Sequence, residues 1–265
     1  MSSQKWPQMM IGITLVLLLL VGCSAPAATQ VLPTAKPTAL LQTILPTAKP
    51  AAATATSIPP TVAATAKPAA TAPAAVTFKT VTIGAQVWMA ENLNVDTFAN
   101  GEAIPEAKTK AEWDAAYKNT APAWSYYNND PANGPKYGRL YNWYAVNDPR
   151  GLAPAGWHVP TDQEWTALTS FLGGENTAAP KMKSAAGWKG TGSGSNSSGF
   201  NGLPGGERLY EDAAFYSVGE IGFWWSATKN DQWNAWYRAL HYMYTLAGRD
   251  NGGMNTGFSV RLLKD

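Results

Sequence analysis

The sequence has a single cysteine, Cys23, in 265 residues. An intramolecular disulfide is therefore excluded, and residues 76–265 contain no thiol for sulfur-based nucleophilic catalysis or for copper chemistry. Histidine is almost as scarce. His158 and His241 are the two, and no two ligand types recur at a spacing that suits zinc or iron, so no metal or cofactor is expected. Charge is sparse and nearly balanced, at 14% of residues and a net +2. Four cations, Lys5, Lys36, Lys49 and Lys67, fall within residues 1–75, where there is no acid. Residues 76–265 consequently carry two more acids than bases, and lack the basic footprint of a nucleic-acid-binding domain.

Residues 24–75 also lack aromatics. They are mainly Ala, Thr, Pro and Lys, and Leu32-Pro33-Thr34-Ala35-Lys36-Pro37 is echoed at Leu45-Pro46-Thr47-Ala48-Lys49-Pro50. Such a composition cannot bury enough apolar surface to offset the entropy of ordering, and its prolines favour polyproline II. A disordered stalk is expected over residues 23–75, reaching on the order of 150 Å when fully extended at about 3.1 Å per residue.

No hydrophobic run is long enough for a membrane span. The one from Met9 to Gly22 falls short of the roughly 20 residues required and suits the core of a signal peptide, with an uncleaved anchor as the alternative. It ends in Leu20-Val21-Gly22-Cys23, which resembles the bacterial lipobox, where the cysteine receives diacylglycerol before cleavage. The resemblance implies a signal peptide at residues 1–22 and lipidation of Cys23. The domain would then be held in the bacterial envelope, outside the cytoplasm, by covalent lipid.

Residues 76–265 hold eleven of the twelve Trp and every Tyr and Phe, and their length suits one domain. Val81 and Ile83, then Gly84-Ala85 and Gln86-Val87-Trp88, predict a hairpin. Thr161-Asp162-Gln163-Glu164 has the form of a capping box, with Trp165, Leu168, Phe171 and Leu172 following on one helical face and Gly173-Gly174 closing it. Thr109 to Tyr117 repeats that signal more weakly. Leu140–Val146 is too short for periodicity to decide, with helix preferred. Gly190–Gly199 has no apolar residue and predicts a mobile loop. Strands are expected around Phe223-Trp224-Trp225, over Trp236–Tyr244, and over Phe258–Leu263. The class is α+β, with short strands, about two helices and long loops.

Several phrases resemble the Fibrobacter succinogenes major paralogous domain. They are Gln86-Val87-Trp88-Met89-Ala90-Glu91-Asn92-Leu93, Tyr137-Gly138-Arg139-Leu140-Tyr141-Asn142-Trp143, Gly156-Trp157-His158-Val159-Pro160-Thr161, Gly199-Phe200-Asn201, Trp224-Trp225-Ser226-Ala227-Thr228 and Gly257-Phe258-Ser259-Val260-Arg261. The resemblance implies a C-type-lectin-like fold, akin to the formylglycine-generating enzyme family, and no known activity.

Catalysis of the formylglycine-generating kind would need cysteines that residues 76–265 do not have. A Gly-x-Ser-x-Gly nucleophile elbow is absent as well. His158, just before a helix cap, suits a hydrogen-bonded structural role. Asn128-Asn129-Asp130 suits a turn, with a structural calcium ion as the alternative. The expectation is a non-enzymatic module that binds a glycan, a surface polymer or a protein; a structural envelope component without a ligand is the alternative, and an enzyme of unknown type the third reading. Aromatic, Arg and Asn residues, which binding faces favour, concentrate between Trp224 and Asn255. The expected ligand face is formed by Asn234, Tyr237, Arg238, His241, Tyr244, Arg249, Asp250 and Asn255, held from beneath by Trp224, Trp225 and Phe258.

Overall fold

The computed structural model describes residues 77–265. The expected signal peptide at 1–22, the lipidation site Cys23 and the stalk at 23–75 lie outside the described residues. Among the described residues no helix is long and apolar enough to cross a membrane.

The described chain is α+β. It runs β1 (Thr80–Ile83), β2 (Gln86–Met89), α1 (Lys110–Lys118), β3 (Trp124–Ser125), α2 (Gly134–Tyr137), β4 (Leu140–Tyr141), α3 (Trp143–Val146), β5 (Trp157–His158), α4 (Asp162–Phe171) and α5 (Glu175–Met182). The strands β6 (Gly205–Arg208), β7 (Phe215–Val218), β8 (Ile221–Lys229), β9 (Asn234–His241), β10 (Ala247–Gly253) and β11 (Leu263–Lys264) follow. The expected hairpin is β1 and β2, joined through Gly84 at φ 62°. A Cβ at Gly84 would meet the Phe171 ring at 2.9 Å, so the turn needs glycine for space as well as for its backbone.

Both predicted capping boxes are present. Thr109 and Glu112 close the start of α1, and Thr161 and Glu164 that of α4. Along α4 the buried face is Trp165, Leu168 and Thr169. Phe171 is 66% exposed, correcting its assignment to that face, because it lies over the Gly84 turn instead of in the core. The stretch Leu140–Val146 divides into strand β4 and the single turn α3, with Asn142 capping the latter through Ala145 N at 3.1 Å. Helix α5 was not expected. It begins at Gly174, which has φ 95° and no side-chain cap, and it carries Pro180 internally.

Three sheets result, in the orders β1-β2-β11-β5, β10-β9-β8-β6-β7 and β3-β4. The five-stranded sheet is covered on both faces. On one face, α4 and α5 enclose a core of Trp88, Trp165, Phe200, Trp224 and Leu240, with Trp88 and Trp165 rings 4.8 Å apart. On the other, Phe258 lies 4.5 Å from Trp225 and 4.8 Å from Phe223. A buried indole usually finds a partner for its N–H, and of these Trp165 has none. Trp225 donates to Tyr141 O, Trp143 to Ser226 O and Trp224 to Asn92 Oδ1, each at 2.9 Å.

Asn92 is where the core phrases meet. Its Oδ1 accepts from Trp224 and from Arg261 Nη2 at 2.7 Å, while its Nδ2 donates to Tyr137 O at 2.9 Å. Arg261 is fully buried, donates to Phe200 O, and lies 4.2 Å from the Phe200 ring centroid. The buried guanidinium is tolerated because its two Nη groups are directed at fixed acceptors, although its Nε has none. Five of the phrases quoted above therefore act as framework.

The Gly190–Gly199 segment is a packed loop, which corrects the expectation of a mobile one. Its backbone donates from Gly194 to Ser184 O, from Ser195 to Pro180 O and from Asn196 to Lys183 O. A Cβ at Gly192 would meet Tyr242 Cβ at 2.5 Å, and one at Gly194 would meet the carbonyls of Pro180 and Lys183 at 2.5 Å. These glycines permit close approach of two backbones. Phe258–Leu263, expected as a strand, is mostly irregular, with isolated bridges from Phe258 to Tyr141 and from Ser259 to Trp224.

Candidate functional site

Strands β9 and β10 carry most of the expected ligand residues, and their register decides where each one points. Arg238 is opposite Arg249, Tyr237 is opposite Asp250, and Asn234 is opposite Gly253. Successive residues of a strand alternate between faces. Arg238 and Arg249 thus share the face toward α4, where both bind Asp162: Arg238 Nη1 to Oδ1 at 2.6 Å and Arg249 Nη2 to Oδ2 at 2.8 Å. Burial works against the Asp162 charge, but hydrogen bonds from Arg249 and Arg238 outweigh it and hold the carboxyl below its ordinary range. Arg249 also lies 3.5 Å over the Trp236 ring. Tyr237 and Asp250 are on the opposite face, with the Tyr237 ring 4.8 Å from Phe258.

The eight residues therefore do not form one exposed face. Arg238, His241 and Asn255 are buried. Asn234 binds Asp231 in the turn before β9, and Asn255 donates to Tyr210 O. The physical reason is that the five-stranded sheet is packed on both sides, so alternation places polar residues of β9 and β10 in two separate interfaces. Trp224, Trp225 and Phe258 are buried as expected.

The two histidines are both engaged. His158 Nδ1 is 2.6 Å from Asp265 Oδ1 and its Nε2 is 3.0 Å from Glu164 Oε1. Burial disfavours its charged form, yet these two carboxylates outweigh it and raise its pKa. His158 thus ties the C-terminal residue to the α4 cap. Burial lowers the pKa of His241, and its Nδ1 accepts from Met243 N at 3.1 Å. Asn128-Asn129-Asp130 forms a turn, with φ of 54° and 55° at the two asparagines and Asp130 Oδ1 accepting from Ala132 N. Among the described residues no group of three or more His, Cys, Asp or Glu is placed to hold a metal ion.

Beyond the end of β9, the chain turns through Tyr242–Thr245, and this turn faces the Gly190–Ser193 loop across an open cleft of about 560 Å³. Lys183, Thr191, Gly192, Ser193, Tyr242 and Tyr244 are among its lining residues. The rings of Tyr242 and Tyr244 lie 4.7 Å and 4.6 Å from His241, at interplanar angles of 31° and 28°. Lys183, at the end of α5, is 4% exposed. Its Nζ donates to the carbonyls of His241 at 3.2 Å and Tyr244 at 3.3 Å, bracketing the turn. Tyr244 is the one expected ligand residue in this lining. Sequence reasoning missed Lys183 and the loop, because glycines needed for close packing against Tyr242 have the same appearance as glycines of a flexible linker.

A second group lies on β6 and β7. Glu207, half-buried and opposite Tyr216, has its carboxyl pushed up to about 7 by burial and then by the neighbouring Asp212.

The sequence model of the Fibrobacter succinogenes major domain matches residues 81–264, and the chain belongs to that family. No curated protein matches the chain.

Proposed function

Taking membership of this family as the frame, we propose that the chain is a non-enzymatic binding module. It is tethered to a bacterial cell envelope by lipid on Cys23, and it recognises an extracellular glycan, surface polymer or protein. The observation that carries the binding role is the cleft between the Gly190–Ser193 loop and the Tyr242–Thr245 turn. Stacked aromatic rings beside Thr191 and Ser193 combine an apolar face with hydroxyl donors and acceptors, the combination that orients a small polar ligand. The C-type-lectin-like relationship implied by the family phrases adds support by analogy only. The second reading is an envelope component without a ligand, and it is favoured by the burial of Arg238, His241 and Asn255.

Full-length protein applied to an array of glycans and cell-wall polymers should retain at least one component. Tyr244→Ala should weaken that binding about tenfold, equivalent to about 1.4 kcal/mol. An array without retained components favours the structural reading, and binding indifferent to Tyr244 places the ligand elsewhere than the cleft.

Anchoring is tested separately. Cys23→Ala should move the protein from the membrane fraction to the soluble one. A membrane-bound variant that keeps residues 1–22 would instead identify an uncleaved anchor.

A further inference from the structure

We infer that the cleft takes an anionic ligand, an oxyanion carried on a sugar or polymer, with the Lys183 ammonium as its counter-charge. This rests on the binding role proposed above. Ten residues line the cleft, and Lys183 is the only charged one; there is no acid among them. An ammonium has three donors. Two are directed at the carbonyls of His241 and Tyr244, at 3.2 and 3.3 Å, longer than the roughly 2.7–2.9 Å of a strong charge-assisted bond. The Trp188 ring lies 5.5 Å from the ammonium, no carboxylate is paired with it among the described residues, and burial lowers its pKa. A buried cation without a counter-ion is costly, and the cost is relieved by an anion.

The surroundings fit such a ligand. Thr191 and Ser193 are exposed at the cleft and offer hydroxyls. Gly190 has φ 57° and open space where a side chain would stand, which lets an anion approach the backbone there. Tyr242 and Tyr244 supply ring faces for the ligand's carbon skeleton. Lys189, 5.4 Å from the Tyr242 ring, is paired with Glu220 at 2.6 Å. Lys183 is thereby left as the cleft's cation.

The experiment titrates full-length protein with three probes: trigalacturonate, a sulfated chondroitin tetrasaccharide and neutral maltotriose. Calorimetry reads affinity, and amide shifts of Gly190–Ser193 and Tyr242–Thr245 report the site. One or both anionic probes should bind saturably at these amides; which one binds distinguishes a carboxylate from a sulfate ester. Lys183→Met should weaken the binding about 10- to 100-fold, the effect of losing one charge-assisted contact. Lys183 also holds the turn, so a second variant guards against misfolding. Thr191→Glu at an exposed position should lose anion binding to the same extent while melting as the wild type does. The inference is overturned if neither anion binds at the cleft, or if folded Lys183→Met and Thr191→Glu proteins both bind as the wild type does. Maltotriose binding there without anion binding would overturn the anionic ligand and leave the binding role standing. Silence from all three probes would remove the anionic ligand, and the array experiment then decides the binding role by itself.

Discussion

Trp225→Ala should lower the stability of the folded domain by about 3 to 5 kcal/mol, the range for removing a large buried aromatic. The ring is 0% exposed, with Phe258 at 4.5 Å and Tyr237 at 6.3 Å, and its Nε1 donates to Tyr141 O. That carbonyl also accepts from Phe258 N at 3.1 Å, so truncation does not leave it without a partner. The loss therefore comes from the cavity and the ring contacts. For a domain of this size it corresponds to roughly 10 °C in melting temperature. Trp233→Ala is the control. Trp233 is 63% exposed, and its removal should change stability by about 0.5 kcal/mol or less. Chemical denaturation of the two variants checks both values, and a loss at Trp225 no larger than that at Trp233 would show that the sheet's second face is not a packed core.

The sequence disclosed those parts of the fold whose signals are local. Capping boxes at Thr109 and Thr161 and the Gly84 turn depend on neighbours within a few residues, and all appear where expected; the Trp224-Trp225 pair is buried as its size suggests. Helix α5 did not, because Gly173-Gly174 resembles a helix stop and Pro180 a helix breaker, while its helical state is secured by tertiary packing of Ala178, Ala179 and Met182. Strand β10 was missed for a similar reason. Ala247–Gly253 has three glycines and little β-propensity, and it is a strand because it pairs with β9 along seven residues.

The candidate site was less legible than the fold, since composition locates polar and aromatic residues but not the face on which they lie. Arg238 and Tyr237 are adjacent in sequence and separated by the thickness of a sheet. Lys183 and Tyr244 are far apart in sequence, yet the Lys183 ammonium reaches the Tyr244 carbonyl. Only the folding of the glycine loop against Tyr242 makes the cleft between them, and that contact has no local signature.

Glu207→Gln should leave stability nearly unchanged at about pH 3 and raise it by about 2 kcal/mol at about pH 9. The sign follows from the direction of the shift. Burial and Asp212 raise the Glu207 carboxyl from its ordinary 4.5 to about 7, so the folded state holds its proton after the unfolded state has released it. Well below the ordinary value both states are protonated and nothing separates them; the loss begins near 4.5, where the unfolded chain releases its proton. As pH rises through about 7, the folded domain must ionise a half-buried carboxyl, and stability is lost. Glutamine keeps the neutral shape and removes that loss. The wild-type pH profile alone would not assign the effect, because His158 acts over the same range. Its raised pKa means that its contribution is fully present below about 6.5 and disappears as pH rises through the folded value. Both proteins in the comparison retain His158, so the difference between their profiles cancels it and isolates Glu207. Urea unfolding of wild type and Glu207→Gln across this range makes the measurement. Parallel profiles would mean that the carboxyl ionises freely in the folded domain, and that Tyr216 and Tyr237 beside it leave it open to water.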